Sequence, residues 1–199
     1  MFIGYGFVVQ APQYLLGCKP PHGLPGRLNS CQSRRHLLAK GQAEKAADLR
    51  GRAFELAPAV GGMADGQAFE WIADADMRLG PVLEIIVNGR YFWLPFNQIG
   101  ALTMEPPSDL RDAVWTAATL RVANGGEMPA LIPTRYCGTV DSGDAAARLA
   151  RATQWVDAGA ETFTGLGQRL FATDQGDIPL LDLRQLQMNT AATAEGQDG

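Results

Sequence analysis

The sequence predicts an α+β fold in which a short helical segment precedes a small domain rich in antiparallel strands. Two observations carry this. Residues 36–58 combine Ala, Leu, Glu, Lys and Arg with a helical apolar stripe, and "PVLEIIVNGRYFWLPF" then sets two β-rich runs about an Asn-Gly pair.

In chain order, residues 1–35 are rich in Pro, Gly and Arg and have no period of 2 or 3.6, so an irregular, disordered start is expected. The helical pattern over 36–58 places Leu49, Phe54 and Leu56 on its apolar side, and Pro58 ends it. Residues 59–67, "AVGGMADGQ", read as a linker. From 68 to 187 the pattern is that of the α+β domain. "FEWIA" is expected as a strand with Phe69 and Trp71 on one face. Asn88-Gly89 suits a two-residue turn with positive φ at both positions. "IGALTME" continues the meander. Ser108 is expected to cap a short helical turn, and "NGG" at 124–126 marks a second hairpin. A short Ala-rich helix follows in "SGDAAARLARATQW", and a last strand pair turns at Asp174-Gln175-Gly176. The tail 188–199 is small and polar and is expected to be disordered.

Bulk properties exclude some functions. A net charge of −4 and a pI near 5.2 disfavour phosphate-backbone binding and anionic membrane surfaces. No apolar run approaches the roughly 20 residues of a membrane span. The start lacks a basic n-region, so a cytoplasmic location is expected. Cysteines 18, 31 and 137 form an odd set and imply no complete disulfide framework.

Three constellations could carry chemistry. Asp74 and Asp76 form an Asp-x-Asp pair, which in an extended segment points two carboxylates the same way. Such a pair could hold a divalent metal with a sugar nucleotide. In the competing reading, which the sequence favours, one aspartate caps the turn at "DMRLGP" and another pairs with Arg78. Cys18, His22, Cys31 and His36 match no standard zinc spacing. "GLGQR" enters a strand rather than a helix, which disfavours a dinucleotide loop. After residue 60 there is no histidine, and after Lys45 no lysine, so Ser–His, Cys–His and Ser–Lys chemistry lack a base there. No cofactor is expected. The adjacent aromatics Tyr91, Phe92 and Trp93 require that both sheet faces be covered or that one binds a partner.

The segments "FEWIADADMRLGPVLEIIVNGRYFWLPF", "EPPSDLRDAVW", "LIPTRYCG", "RLARATQWVD" and "GLGQRLFATDQGDIPLLDLR" together resemble the ImpE/SciE (TagJ) family. The resemblance covers about residues 42–187. It implies a tetratricopeptide-like helical region before a small α+β domain, and a non-enzymatic, cytoplasmic accessory protein of a bacterial type VI secretion system. The partners it implies are the small subunit of the contractile sheath and the AAA+ ATPase that disassembles it. It supplies no catalytic residues. Asp74, Asp76, Arg78 and Gly80 occupy its "DADxRLGP" motif, and Arg135 and Tyr136 its "PTRY" motif, with roles unassigned. Only about 36–57 fits the family's longer helical region, so 36–58 is expected as a helical remnant. The alternatives kept open are a β-rich protein-binding module of another pathway and a metal-dependent sugar-processing enzyme using Asp74 and Asp76.

Overall fold

The computed structural model describes residues 9–10 and 43–190. Its elements are β1 (Val9–Gln10), α1 (Ala43–Leu56), β2 (Gly62–Ala64), β3 (Gln67–Phe69), β4 (Ile72–Asp74), β5 (Val82–Val87), β6 (Arg90–Pro95), β7 (Ile99–Met104), β8 (Trp115–Val122), β9 (Glu127–Pro133), α2 (Ala145–Arg148), β10 (Thr153–Asp157), β11 (Phe163–Gly167), β12 (Leu170–Thr173), β13 (Gly176–Pro179) and β14 (Gln185–Met188). Among the described residues no helix is long and apolar enough to cross a membrane.

Antiparallel pairing joins nine strands into one sheet in the order β1-β6-β5-β9-β8-β7-β14-β2-β3. A three-stranded unit, β13-β12-β4, and the hairpin β10-β11 complete the fold. The hairpin at Asn88-Gly89 forms as the sequence predicts, with φ of 51° and 72°. The hairpins at 124–126 and at Asp174-Gln175 also form.

The α+β class holds in outline, but its helical part needs correction. Strands dominate, and α1 is the one α-helix longer than a single turn among the described residues. A tetratricopeptide unit is a pair of packed helices. Here α1 rests instead on the strand domain. The Phe54 ring lies against Gly80, where an added Cβ would sit 2.7 Å from Phe54 Cζ. Arg50 Nη1 donates to Thr162 Oγ1 at 2.5 Å. The helical remnant of a tetratricopeptide-like region is therefore not what this segment forms.

Smaller expectations also shift. Strand β7 does not continue a meander beside β6; a 3-10 turn at Phe96–Gln98 carries it to the far side, between β8 and β14. Residues 59–67, read as a linker, contain β2 and the turn into β3. Phe69 is buried but Trp71 is exposed, because the strand breaks at Glu70 and the alternation with it. At the Ser108 turn it is Asp112 that caps, accepting from Ser108 N at 2.6 Å. The expectations for 1–35 and 188–199 fall mostly outside the described residues. Within them, Val9–Gln10 pairs with Trp93–Phe92, and Asn189 N donates to Gly61 O at 2.8 Å.

Burial explains the strong β signal of β5. Leu83, Ile85 and Val87 belong to the apolar core, packed with Leu94, Leu120, Ile132, Leu186 and the edge-to-face pair Phe96–Phe171 (centroids 5.6 Å apart). Glu84 lies on the opposite face of β5, and it is only 7% exposed. Both faces of the β5–β6 hairpin are covered, which accounts for Trp93 and Leu94 being buried in succession.

Candidate functional site

Below the Glu84 face of β5 lies a cluster of five ionisable side chains: Asp74, Asp76, Glu84, Arg78 and Arg169. The turn after β4 builds its first half. Asp74 N donates to Gly80 O at 2.7 Å, and Leu79 and Gly80 N both donate to Asp76 O. Gly80 closes this turn at φ 62°, where a side chain would be strained and would strike Phe54. Asp76 is fully buried inside the turn. Its Oδ1 accepts from Arg78 N at 2.7 Å and from Arg78 Nε at 2.9 Å, while its Oδ2 accepts from Arg78 Nη2 at 2.5 Å.

Arg169, 0% exposed, builds the second half. It donates to Asp74 Oδ2, to Glu84 Oε2 at 2.6 Å and to Pro133 O at 3.0 Å. It also lies 5.2 Å from the Tyr136 ring centroid, a cation–π contact. The Tyr136 hydroxyl sits within 3.1 Å of both Asp74 Oδ1 and Leu170 O, and accepts from Leu170 N at 2.9 Å. Tyr91 donates to Glu84, and Trp93 Nε1 to the Tyr91 oxygen at 3.0 Å.

The cluster fastens the β10-β11 hairpin. The bonds Gln168 N to Ala152 O and Ala158 N to Thr162 O set the phase of that ladder. Even-numbered residues of β10 therefore bond to β11, and the backbone groups of Phe163, Gly165 and Gly167 point outward. Each finds a partner. Gly165 N donates to Asp76 Oδ2 at 2.8 Å, and Gly165 O accepts from Arg78 Nη2 at 3.0 Å, so one carboxylate and one guanidinium replace a rung of backbone pairing. Met77 bonds Phe163, while Tyr136 N and Thr139 Oγ1 bond Gly167.

Of the residues the sequence singled out, Asp74, Asp76, Arg78, Gly80 and Tyr136 converge here. Arg135 does not: it donates to Arg148 O at the end of α2, whose start is capped by Asp144. Composition reasoning missed Glu84 and Arg169. Glu84 is a lone charge inside the apolar strand "VLEIIV", and Arg169 is one between β11 and β12 in "GLGQRLF"; a charge buried at either place must find a partner.

The four oxygens of Asp74 and Asp76 all accept bonds from within the chain. A divalent cation would have to displace a guanidinium to reach them. With three carboxylates against two guanidiniums, the buried cluster is neutral when it holds one proton. Burial raises the Asp74 carboxyl from 3.8 to about 7; Arg169 pulls it down and Asp76 pushes it up. A folded-state value above the unfolded one stabilises the fold fully below about 3.8 and ceases to do so as pH rises through about 7. Between pH 5 and 8 the melting temperature should therefore fall, and Asp74→Asn should flatten that slope. Parallel melting curves for the two proteins across this range would contradict the assignment of the proton to Asp74.

The ImpE protein family profile matches residues 66–187. Over 150 residues the chain is 55% identical to the type VI secretion system accessory component TagJ of Pseudomonas aeruginosa, covering 75% of this chain and 52% of that protein. The chain thus spans about half the length of the curated relative it matches. The crystal structure of protein VPA1032 from Vibrio parahaemolyticus is similar at a TM-score of 0.74 and 27% identity, over 81% of this chain and 60% of that one. The matched span contains every residue of the ionic cluster, and on that match the chain belongs to the ImpE family.

Proposed function

We propose that this protein is a non-enzymatic, cytoplasmic adaptor of a bacterial type VI secretion system that binds the small sheath subunit and the AAA+ disassembly ATPase. The observation that carries this reading is the 55% identity to the TagJ accessory component. The cluster geometry supports the non-enzymatic part. Asp74, Asp76, Glu84, Arg78 and Arg169 are engaged with one another and with backbone groups, so their role is to hold two structural units together.

Titration of the purified chain with the small sheath subunit by calorimetry tests the reading. Saturable binding is expected, weaker than that of a full-length relative, because this chain spans about half of TagJ. No heat of binding to either the sheath subunit or the ATPase would sink it. Affinity equal to the full-length protein's would show that the remaining half of that protein contributes nothing.

A further inference from the structure

The phase that turns Phe163, Gly165 and Gly167 outward on β11 also turns the backbone groups of Thr153, Trp155 and Asp157 outward on β10. On β11 that edge is sealed by the ionic turn. On β10, among the described residues, no backbone or side-chain group pairs with it. Natural edge strands are kept from pairing by shortness, proline or charge. Among the described edges, β3 has three residues and β13 ends in Pro179. The β10 edge has five residues and carries Trp155 and Val156, 41% and 45% exposed, at its middle.

We propose that the outer edge of β10 pairs with the same edge of a second copy of the chain, antiparallel about a two-fold axis through Trp155. The register is self-complementary. Thr153 stands opposite Asp157 of the second copy, and Gln154 opposite Val156. Trp155 meets its own symmetry mate, an aromatic cross-strand pair of the favourable kind. Charge selects this occupant. Arg151 and Asp157 are both exposed, at opposite ends of the strand. In this register each Asp157 lies diagonal to Arg151 of the second copy, twice by symmetry. Parallel pairing would instead set like charges side by side. The interface is small, so the association is weak and reversible, with a Kd of about micromolar order.

Sedimentation equilibrium of the full chain over roughly 1–200 µM tests it. A monomer–dimer equilibrium is expected. Asp157→Arg should weaken it about tenfold, since it turns two attractive diagonals repulsive, and the swap Arg151→Asp with Asp157→Arg should restore it. The register has its own test. In a background with the three native cysteines changed to serine, Gln154→Cys with Val156→Cys should form a covalent dimer on oxidation, because residues at a non-hydrogen-bonded pair lie closest. Val156→Cys alone should not. A chain that stays monomeric throughout the range, or a dimer indifferent to Asp157→Arg and not trapped by the cysteine pair, overturns the proposal.

Discussion

Arg169→Ala is expected to cost about 3–5 kcal/mol of stability, because it strips the partner from two buried carboxylates at once. The side chain is 0% exposed and holds Asp74, Glu84 and the carbonyl of Pro133 together. Its removal takes the guanidinium from Glu84, which keeps its bond from Tyr91, and from Asp74, which keeps Tyr136 and a backbone amide. For a domain of this size the loss corresponds to a drop in Tm of roughly 10 °C. Arg169→Lys should fall between, since one ammonium point charge cannot serve two carboxylates with a planar fork. Arg169→Met combined with Asp74→Asn and Glu84→Gln should recover part of the loss, because no uncompensated charge is then buried. Thermal melts of these variants decide it. A melt of Arg169→Ala within about 2 °C of the parent would show that water reaches the carboxylates and that the cluster is not what binds β12 to β5.

Gly165→Ala is expected to cost about 3 kcal/mol, through crowding rather than lost bonds. An added Cβ would sit 2.3 Å from Tyr136 Cδ2 and 2.4 Å from Cε2, against the flat of a ring that is 2% exposed. The ring has no room to swing, for its hydroxyl is bonded at Leu170 and Asp74. Relief must come from β11 moving outward, and that movement breaks the bond that Gly165 N donates to Asp76 and the one that Gly165 O accepts from Arg78. The fluorescence of Trp155, whose ring lies 6.0 Å from Tyr136, should shift with it. Gly51→Ala serves as the control. It lies in α1 with nothing within 4 Å of an added Cβ, so it should leave stability unchanged or raise it by about 0.5–1 kcal/mol. Equal melts for Gly165→Ala and Gly51→Ala would mean that the glycine at the hairpin contact is not required.

The local features of the fold were legible where a short segment decides its own geometry. Asn88-Gly89 demands positive φ at both positions, and the alternation on either side then sets a hairpin without help from the rest of the chain. The turns at 124–126 and 174–176 are also set locally, each with a single glycine, Gly125 or Gly176, at positive φ. The Asp74–Gly80 motif was legible as a turn, because Asp76 can bond the backbone two residues on and Gly80 can adopt a left-handed φ. What failed were readings that depend on distant partners. A helical stripe over 36–58 states that α1 needs a surface to cover it, but not whether that surface is another helix or the strand domain. Phe54 against Gly80 and Arg50 against Thr162 supply the answer.

By itself, then, the sequence determined the hairpins, the motif turn, the absence of an imidazole or amine base after residue 60, and the family, since all of these are properties of residues near one another or of their order. Only the tertiary structure decided the strand order, with β7 carried across to β14, and the joining of Asp74, Glu84 and Arg169 across 95 positions of the chain. The reason is that a lone charge in an apolar strand carries no mark of its partner. Burial forces such a charge to be paired, and where the partner lies is set by which strands the fold brings side by side.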